Sequence, residues 1–362
     1  MIYLDYQATT PLAPEARDAM LPWLGGPESM GFGNPHSPHR MGRQAAAAVE
    51  AARDHVAALL PPGGRVIFTS GATEAINLAI KGTARAGRAI AASAIEHAAV
   101  LDCAEAVRET CPTHILPVDA DGLVGADALL PEGLGLLALM QVNNEIGTIQ
   151  PVDALAQAAH AAGALVLCDA VQGAGKLSAP AGADLIAISA HKLYGPKGIG
   201  ALWVRDGVEL VPQMHGGGQE QGLRSGTLSP ALCAGFGAAA KLARARMDAD
   251  SAHVEMLWRH ARSLFADWVL NGSAPDRWKG NLNIRRQGLD VARLMSDLRD
   301  VCFSAGSACA SGSGRPSHVL RALGLSDAEA KSSIRIGFGR YTTMEELEEA
   351  AGKINQAAAL QE

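Results

Sequence analysis

The chain has 362 residues, of which 48% are hydrophobic, and it carries a formal net charge of −6. This length can bury a large core and more than one domain, whereas the acidic balance provides no basic surface for nucleic acid. No apolar run is long enough to span a bilayer, and the first five residues lack the basic start and apolar centre of a signal peptide. We therefore expect a soluble cytoplasmic protein that binds neither nucleic acid nor membrane.

The cysteines and histidines do not predict a resident metal. The six cysteines, at positions 103, 111, 168, 233, 302 and 309, include no Cys-x-x-Cys pair, so neither a structural zinc site nor a disulfide framework is indicated. We expect reduced thiols that are mostly buried. His36 and His39 lie near each other, but no carboxylate or thiol accompanies them at ligand spacing.

The first part of the chain predicts an arm, a helix and a candidate phosphate site. Residues 3–11 form a short strand or extended arm, and apolar residues at helical spacing predict a helix over 41–60. A strand over 65–69 then enters a turn of small residues, 70–74, before the next helix. Free backbone N–H groups and the helix dipole favour an anion there, although small residues also precede many ordinary helices. The spacing matches neither a Walker loop nor a dinucleotide motif.

Apolar runs that predict strands recur near residues 65, 89, 135, 164, 184 and 201, with helical patterns between most of them. This alternation is typical of a doubly wound α/β domain. Polar residues follow nearly every run, so we expect a pocket along the carboxyl edge of the sheet. One of them, His97, stands at a strand-to-helix junction. It would either lie over a flat cofactor ring and move protons, or cap the helix.

Two charged residues at neighbouring strand ends form the centre of the predicted site. Lys192 follows the apolar run of residues 184–188, and Asp169 ends the run of residues 164–168. A partly desolvated lysine beside other cations can be neutral enough to form a Schiff base. A carboxylate at a strand end can pair with the protonated ring nitrogen of pyridoxal phosphate. A lone lysine would more often be a surface residue, but the two residues support each other.

A second, smaller α+β unit is predicted after the composition shifts near residue 251. We assign residues 14–250 to a large cofactor-binding domain, and residues 1–13 with 251–362 to a small α+β domain. The glycine-rich stretch 214–227, which precedes the boundary, is either a mobile loop, a phosphate contact or a plain surface loop.

Two residues of the small unit are candidates for chemistry. Cys309 lies in a run of small residues over 305–314, which is unusual for a residue type that is mostly buried. We expect an exposed and mobile thiol there, with an ordinary loop cysteine as the alternative. Arg335 lies on a predicted strand, and its planar guanidinium suits a carboxylate.

These residues together resemble a cysteine desulfurase of the NifS/IscS-like type, a fold-type-I pyridoxal-phosphate enzyme of the class V aminotransferase family. The similarity runs from Tyr3 to about Arg340. Its motifs are Leu4-Asp5-Tyr6, Ala8-Thr9-Thr10-Pro11, Phe32-Gly33-Asn34-Pro35, Thr69-Ser70-Gly71-Ala72-Thr73-Glu74, Val142-Asn143-Asn144-Glu145-Ile146-Gly147, His191-Lys192, Tyr194-Gly195-Pro196-Lys197-Gly198 and Arg224-Ser225-Gly226-Thr227. The string Gly306-Ser307-Ala308-Cys309 is the discriminating one, because the others occur more widely in the fold. Ala190 and Ala310 depart from the family pattern without removing a functional group.

The resemblance implies a large, mainly parallel, doubly wound sheet domain with a smaller α+β domain, and it implies roles for individual residues. Lys192 would hold pyridoxal phosphate, Asp169 would pair with its ring nitrogen, and Gln172 would reach its phenolic oxygen. His97 would stack on the ring and Asn144 would lie at its edge. The phosphate would be held by Gly71, Ala72, Thr73, Ser189 and His191. Thr227 would complete the phosphate site of a neighbouring subunit, which implies a homodimer.

The resemblance also implies a reaction. L-cysteine would lose its sulfur, giving L-alanine and a persulfide on Cys309, with Lys192 removing the α-proton and His97 moving protons. Arg335, Asn34 and Asn144 would bind the substrate. The sulfur would pass to an acceptor such as an iron-sulfur scaffold protein, where Cys309 could be a transient cluster ligand. The alternatives are another reaction on the same cofactor, such as aminotransfer or selenocysteine cleavage, and a catalytically silent partner in sulfur relay.

Overall fold

The structure is a computed structural model that describes residues 1–306 and 316–361. Its strands, in chain order, are β1 (Ile2–Tyr3), β2 (Gly64–Thr69), β3 (Ala89–Ser93), β4 (Thr113–Leu116), β5 (Leu134–Ala138), β6 (Leu165–Asp169), β7 (Leu185–Ser189), β8 (Gly200–Arg205), β9 (Val269–Leu270), β10 (Asn281–Arg285), β11 (Val301–Cys302), β12 (Ser304–Ala305) and β13 (Ser333–Gly337). Its α-helices are α1 (Pro14–Met20), α2 (Arg40–Ala57), α3 (Ala72–Thr83), α4 (Ala98–Ala106), α5 (Val152–Ala161), α6 (Pro230–Leu264), α7 (Val291–Asp297), α8 (His318–Ala322), α9 (Asp327–Lys331) and α10 (Met344–Ala359).

A seven-stranded sheet forms the centre of the larger part, in the order β2-β8-β7-β6-β5-β3-β4. The strands from β7 to β4 are parallel, and β8 is antiparallel to both of its neighbours. Strands such as β3 and β7 are buried along their whole length, which explains why they appear in the sequence as continuous apolar runs. The prediction of a doubly wound, mainly parallel sheet is confirmed.

Strand β4 was not predicted from the sequence. It lies at the edge of the sheet, and its two central residues, His114 and Ile115, are exposed. An edge strand mixes polar and apolar residues because only part of it is buried. The apolar run that marks the other strands is therefore missing.

Helices cover both faces of this sheet. One core joins the sheet to α2, α5 and the first half of α6, including Val49, Leu155 and Phe236. The other joins the opposite face to α3 and α4. His39 caps α2 by accepting a hydrogen bond from the Gly42 N–H at 3.2 Å. Within residues 1–306 and 316–361, no group of His, Cys, Asp and Glu side chains is arranged to hold a metal ion.

The smaller part contains a four-stranded sheet in the order β12-β13-β10-β9, and β1 pairs in parallel with β11. Its core includes Leu257 and Ala261 from the second half of α6, together with residues of α10. Helix α6 therefore contributes to both cores. The predicted boundary between residues 250 and 251 falls inside this continuous helix, and the division into domains remains a prediction. No helix in the described ranges has the length and apolarity that crossing a membrane requires.

Candidate active site

A cleft of about 540 Å³ lies at the carboxyl edge of the large sheet. The ends of β6 and β7, the first turns of α3 and α4, the N-terminal arm and β13 all contribute to it. The predicted site residues that line this cleft are Gly71, Ala72, Thr73, His97, Asn144, Asp169, Gln172, Ser189, His191, Lys192 and Arg335. Sequence positions far apart in the chain thus meet where strand ends are expected to converge.

Lys192 lies in a short 3₁₀ turn directly after β7. Its Nζ donates hydrogen bonds to two carbonyl oxygens of the N-terminal arm, Gln7 O at 2.5 Å and Ala8 O at 2.8 Å. Two residues later, Tyr194 has a φ of 67°, a conformation that costs free energy in a residue with a side chain. The turn is held by Thr10, whose Oγ1 accepts from Tyr194 N and donates to His191 O.

Asp169 ends β6 and is only 6% exposed. Its Oδ1 accepts a hydrogen bond from the Val171 N–H at 2.9 Å. Burial raises the pKa of the Asp169 carboxyl, while the Val171 N–H and the nearby charges of His97 and Lys192 act in the opposite direction. A protonated ring nitrogen beside this carboxylate would replace the hydration that burial removes.

A second carboxyl lies close to Asp169 and is not part of the predicted site. Glu96 is fully buried, and its Oε1 accepts from the Met140 N–H at 2.8 Å. Burial raises the pKa of Glu96 well above its ordinary value, and the negative charge of Asp169 raises it further. Because two adjacent buried carboxylates repel each other, we assign the negative charge of the pair to Asp169.

Gln172 presents unused hydrogen-bonding capacity to the cleft. Its Nε2 donates to Gln7 O at 2.9 Å, and its Oε1 is buried without a partner among the described residues. An amide nitrogen has two hydrogens, so a second one is left after the bond to Gln7. A buried polar atom without a partner is costly in a folded protein. This residue therefore fits the polar edge of a bound cofactor.

The first turn of α3 forms the floor of the predicted phosphate site. Its N-cap residue, Gly71, provides no side-chain hydrogen bond, so N–H groups of the first turn are left for an anion. Strand β8 passes close by: a Cβ on Gly200 would lie 2.7 Å from the Gly71 carbonyl carbon. A side chain at Gly200 would displace this turn. Lys197 also lines the cleft and adds a positive charge.

His191 contributes to the same region as a neutral group. Its Nδ1 lies 3.1 Å from Thr9 Oγ1. Burial, followed by the positive charges of Lys192, Lys197 and Lys176, lowers the pKa of His191 to about 4. At neutral pH this side chain can therefore hydrogen-bond to a phosphate but adds no charge to it.

His97 caps a helix and also borders the cleft, while its contact with a cofactor ring stays a prediction. It is the N-cap of α4, and its Nδ1 accepts a hydrogen bond from the Ala99 N–H at 3.1 Å. It also lines the cleft. Because Nδ1 is an acceptor, the neutral ring has its hydrogen on Nε2. The helix cap thus fixes the tautomer of a histidine that borders the site.

Arg335 is fully buried and already has several partners. It donates to Asp5 Oδ1 at 2.7 Å, to Asn144 O at 3.0 Å and to Ser304 Oγ at 3.2 Å. Its Nε is buried without a partner among the described residues. The sequence did not indicate the ion pair with Asp5, because the two residues are 330 positions apart.

Two predicted site residues are not brought into this cleft, and a third lies outside the described residues. Asn34 is exposed, and its Oδ1 accepts from the His36 N–H. Thr227 is also exposed and does not line the cleft. Cys309 lies outside the described residues. The roles of all three remain predictions.

Gln7 and Lys197 are among the cleft residues that were missed as contributors to the site. Gln7 lies in the arm that the sequence predicted, and its carbonyl is bonded to both Lys192 and Gln172. Lys197 follows the lysine turn within a quoted motif. A main-chain carbonyl leaves no trace in the residue type, so Gln7 could not have been recognised from its identity.

Comparisons with known proteins show the family to which the chain belongs. The model of the aminotransferase class V family matches residues 2–349. The chain is 44% identical to the cysteine desulfurase IscS of Shewanella loihica over 377 aligned positions, which cover 98% of this chain and 92% of that protein. Among solved structures, a NifS-like protein aligns with a TM-score of 0.91 at 31% identity, covering 99% of each chain. SspA in complex with cysteine aligns with a TM-score of 0.83 at 34% identity, covering 95% of this chain and 100% of that one.

The structural neighbours confirm the predicted fold class, a fold-type-I arrangement with a large, mainly parallel sheet. The match to the family model covers most of the chain, and the identity to curated relatives extends over nearly their whole length. The chain therefore belongs to the class V aminotransferase family of pyridoxal-phosphate enzymes and is a member of its cysteine desulfurase group.

Proposed function

We propose that the chain removes sulfur from L-cysteine, giving L-alanine and a persulfide on Cys309. One observation carries this proposal at the level of residues. Lys192, Asp169 and Gln172 line a single cleft that also contains the first turn of α3. These groups match the amine, ring-nitrogen, phenol and phosphate contacts that pyridoxal phosphate requires.

The cofactor would be held by residues whose position in the cleft suits the contacts that it needs. Lys192 would be its covalent attachment point and the buried Asp169 would pair with its ring nitrogen. Gln172 would hydrogen-bond the phenolic oxygen. The N–H groups of Ala72 and Thr73, with Ser189 and His191, would hold the phosphate, and His97 would lie over the ring. When bound, the cofactor supplies an electron sink for the bonds at the substrate's α-carbon.

Arg335 would bind the substrate carboxylate through the part of its guanidinium that is not yet committed. Its Nε has no partner among the described residues, and its other nitrogens are fixed by Asp5, Ser304 and the Asn144 carbonyl. A guanidinium held on several sides has little freedom to lose when it binds a carboxylate. We place Asn144 beside the substrate as well, and Asn34 as a further contact. The solved complex of the similar protein SspA contains cysteine, which supports a cysteine-sized substrate here.

Lys192 would remove the α-proton of the substrate. The carbonyl oxygens of Gln7 and Ala8 accept hydrogen bonds from its Nζ, so the arm can hold the amine in its protonated form. General-base removal by a positioned side chain contributes roughly 10²- to 10⁴-fold to a rate. His97, with its Nε2 hydrogen directed by the helix cap, would move protons to or from the thiols.

The thiolate of Cys309 would attack the sulfur of the substrate. A sulfur–sulfur bond forms, the carbon–sulfur bond breaks, and the carbon takes up a proton to become the methyl group of alanine. The sum is cysteine plus enzyme thiol giving alanine plus enzyme persulfide, so no external oxidant or reductant is needed.

The proposal also covers the oligomeric state, the sulfur acceptor and the cellular location. We propose a homodimer in which Thr227 completes the phosphate site of the neighbouring subunit, and a cytoplasmic location. The persulfide sulfur would pass to an acceptor such as an iron-sulfur scaffold protein. The exposure of Thr227, which lies outside its own cleft, supports a role toward another chain.

The test is to map both covalent positions. Borohydride reduction of the holoenzyme should fix the cofactor to Lys192, and mass spectrometry after exposure to cysteine should find one added sulfur atom on Cys309. With a thiol reductant present to release the persulfide sulfur as sulfide, Cys309→Ala should keep the visible absorption of the bound cofactor but form alanine and sulfide at least about 10²-fold more slowly. Cys302→Ala, which removes a different thiol, is the matched control.

Other outcomes would identify the alternative functions. If borohydride labels another lysine or none, the assignment of the site fails. If Cys309→Ala retains turnover, or if an amino group is transferred in place of sulfur, another reaction on the same cofactor is favoured. A preparation that binds no cofactor would favour a silent partner in sulfur relay.

A further inference from the structure

One carbonyl group of the N-terminal arm, that of Gln7, contacts two residues of the site. This oxygen accepts a hydrogen bond from Lys192 Nζ at 2.5 Å and another from Gln172 Nε2 at 2.9 Å. A carbonyl oxygen has two lone pairs, so these two bonds use its whole capacity. The two donors are the residues to which the proposed function assigns the amine and phenol contacts of the cofactor. The same carbonyl therefore contacts both of them.

The side chain of Gln7 fixes the same residue to the smaller part of the molecule. Gln7 is 3% exposed, and its Nε2 donates to Gly280 O at 2.8 Å. Its amide lies directly against β13, because a Cβ on Gly337 would be 1.7 Å from Gln7 Oε1. The neighbouring arm residue Leu4 accepts from the Gly337 N–H at 2.8 Å. The arm at this point is held against the strand that also carries Arg335.

Gln7 therefore connects the smaller part of the molecule to the active-site cleft. Its side chain is held by the segment around β10 and β13, and its main chain holds Lys192 and Gln172 from the large sheet. A buried amide that loses its partner is costly, so the side chain is strongly tied to one position. The carbonyl follows, because only a few bonds separate it from that amide.

We propose that Gln7 is a positioning residue that fixes Lys192 and Gln172 relative to the strand bearing Arg335. The proposal rests on the proposed function, since it takes Lys192 as the point of cofactor attachment. It predicts that the side chain of Gln7, through its bond to Gly280, controls how well the site holds its cofactor and turns over.

The test compares two arm variants of the holoenzyme. Gln7→Met keeps a similar volume but removes the bond to Gly280. Tyr3→Phe is the matched control, because it removes hydrogen bonds from the Tyr3 hydroxyl to Asp5 O and Thr9 O and leaves Lys192 and Gln172 untouched. We expect Gln7→Met to weaken cofactor binding about five- to tenfold, the effect of about one hydrogen bond. Its kcat should fall by a similar factor, while KM for cysteine stays within about twofold.

The readout separates positioning from ordinary stabilisation. A merely structural role would lower the thermal midpoint in both variants and leave the cofactor dissociation constant of the folded protein unchanged. The inference is overturned if Gln7→Met binds the cofactor as tightly as the parent, or if Tyr3→Phe weakens it equally. Borohydride labelling of the parent enzyme separates failure of this inference from failure of the proposed function. If the label is on Lys192 and Gln7→Met binds the cofactor normally, only this inference is rejected. If the label is on another residue, the proposed function is rejected.

Discussion

Two lysines near the N-terminal arm have opposite surroundings. Lys192 faces the cleft, where two carbonyl oxygens accept its hydrogens. Lys176 lines a separate narrow cavity where the two parts of the chain meet, and it faces the ring of Trp278 at 5.9 Å. Gln7 borders both spaces. Burial, followed by the positive charge of Lys192, lowers the pKa of Lys176 to about 7.

The difference shows what a lysine needs in order to serve as an acid and base. Hydrogen bonds to carbonyl oxygens favour the charged form of an amine, whereas burial beside an aromatic ring and another cation favours the neutral form. Sequence alone cannot separate the two cases, because each lysine follows a predicted strand by only a few residues. The groups around each amine distinguish them, and these come from distant segments: the arm for Lys192 and Trp278 for Lys176.

The largest expected effect concerns Lys192 itself. Lys192→Ala removes the proposed attachment point and base, so we expect turnover of cysteine to fall by at least about 10³-fold. Borohydride should then fix no cofactor to the chain. The control is Lys241→Ala on α6, where an exposed lysine is lost. Retention of more than a tenth of the activity in Lys192→Ala would contradict the comparison, because Lys176 would then be able to replace it.

A smaller effect is expected at the carboxylate that faces Lys192 across the cleft. Asp169→Asn keeps the size of the side chain but removes its charge, and we expect kcat to fall roughly 10²-fold through lost electrostatic stabilisation. Glu96→Gln is a close control, because burial and the negative charge of Asp169 raise the pKa of Glu96 well above its ordinary value and so disfavour its charged form. It should change kcat by less than about threefold. Steady-state kinetics at pH 7.5 would test the pair, and equal losses in both variants would refute the assignment of charge.

The parts of the site that the sequence predicted are those with local signals. Lys192, Asp169 and the first turn of α3 each follow an apolar strand, and the residue type itself indicates the chemistry. His97 could be placed at a junction, but not resolved between capping and contact with the cleft. The structure shows it capping α4 at the border of the cleft.

The parts that escaped prediction depend on contacts between distant segments. The ion pair of Arg335 with Asp5 and the bonds to the Gln7 carbonyl join the two ends or halves of the chain. Such contacts produce no periodic pattern in the sequence. The position of Lys176 was missed for the same reason, since its environment is made by Trp278 from the other part of the chain.

The smallest expected effect concerns Lys176 and appears in stability. Its pKa of about 7 lies below the ordinary value of 10.5, so between these two pH values the unfolded chain binds a proton that the folded chain does not. Stability should therefore rise with pH in this window, by at most about 1.4 kcal/mol per unit. Below pH 7 the full penalty of a buried charge is present. Lys176→Met removes it and should be the more stable protein at pH 7.

The measurement is the midpoint of urea unfolding of the cofactor-free protein at several pH values from 7 to 9. Unfolding is monitored by tryptophan fluorescence. Other groups titrate in this range, so the relevant quantity is the difference between parent and variant. We expect the advantage of Lys176→Met to shrink by about 1–2 kcal/mol over the window, after allowance for the partial exposure of Lys176. Lys241→Met should show a difference that does not depend on pH. A constant difference for Lys176→Met would mean that its amine keeps its charge, and the contrast with Lys192 would then rest on hydrogen bonding alone.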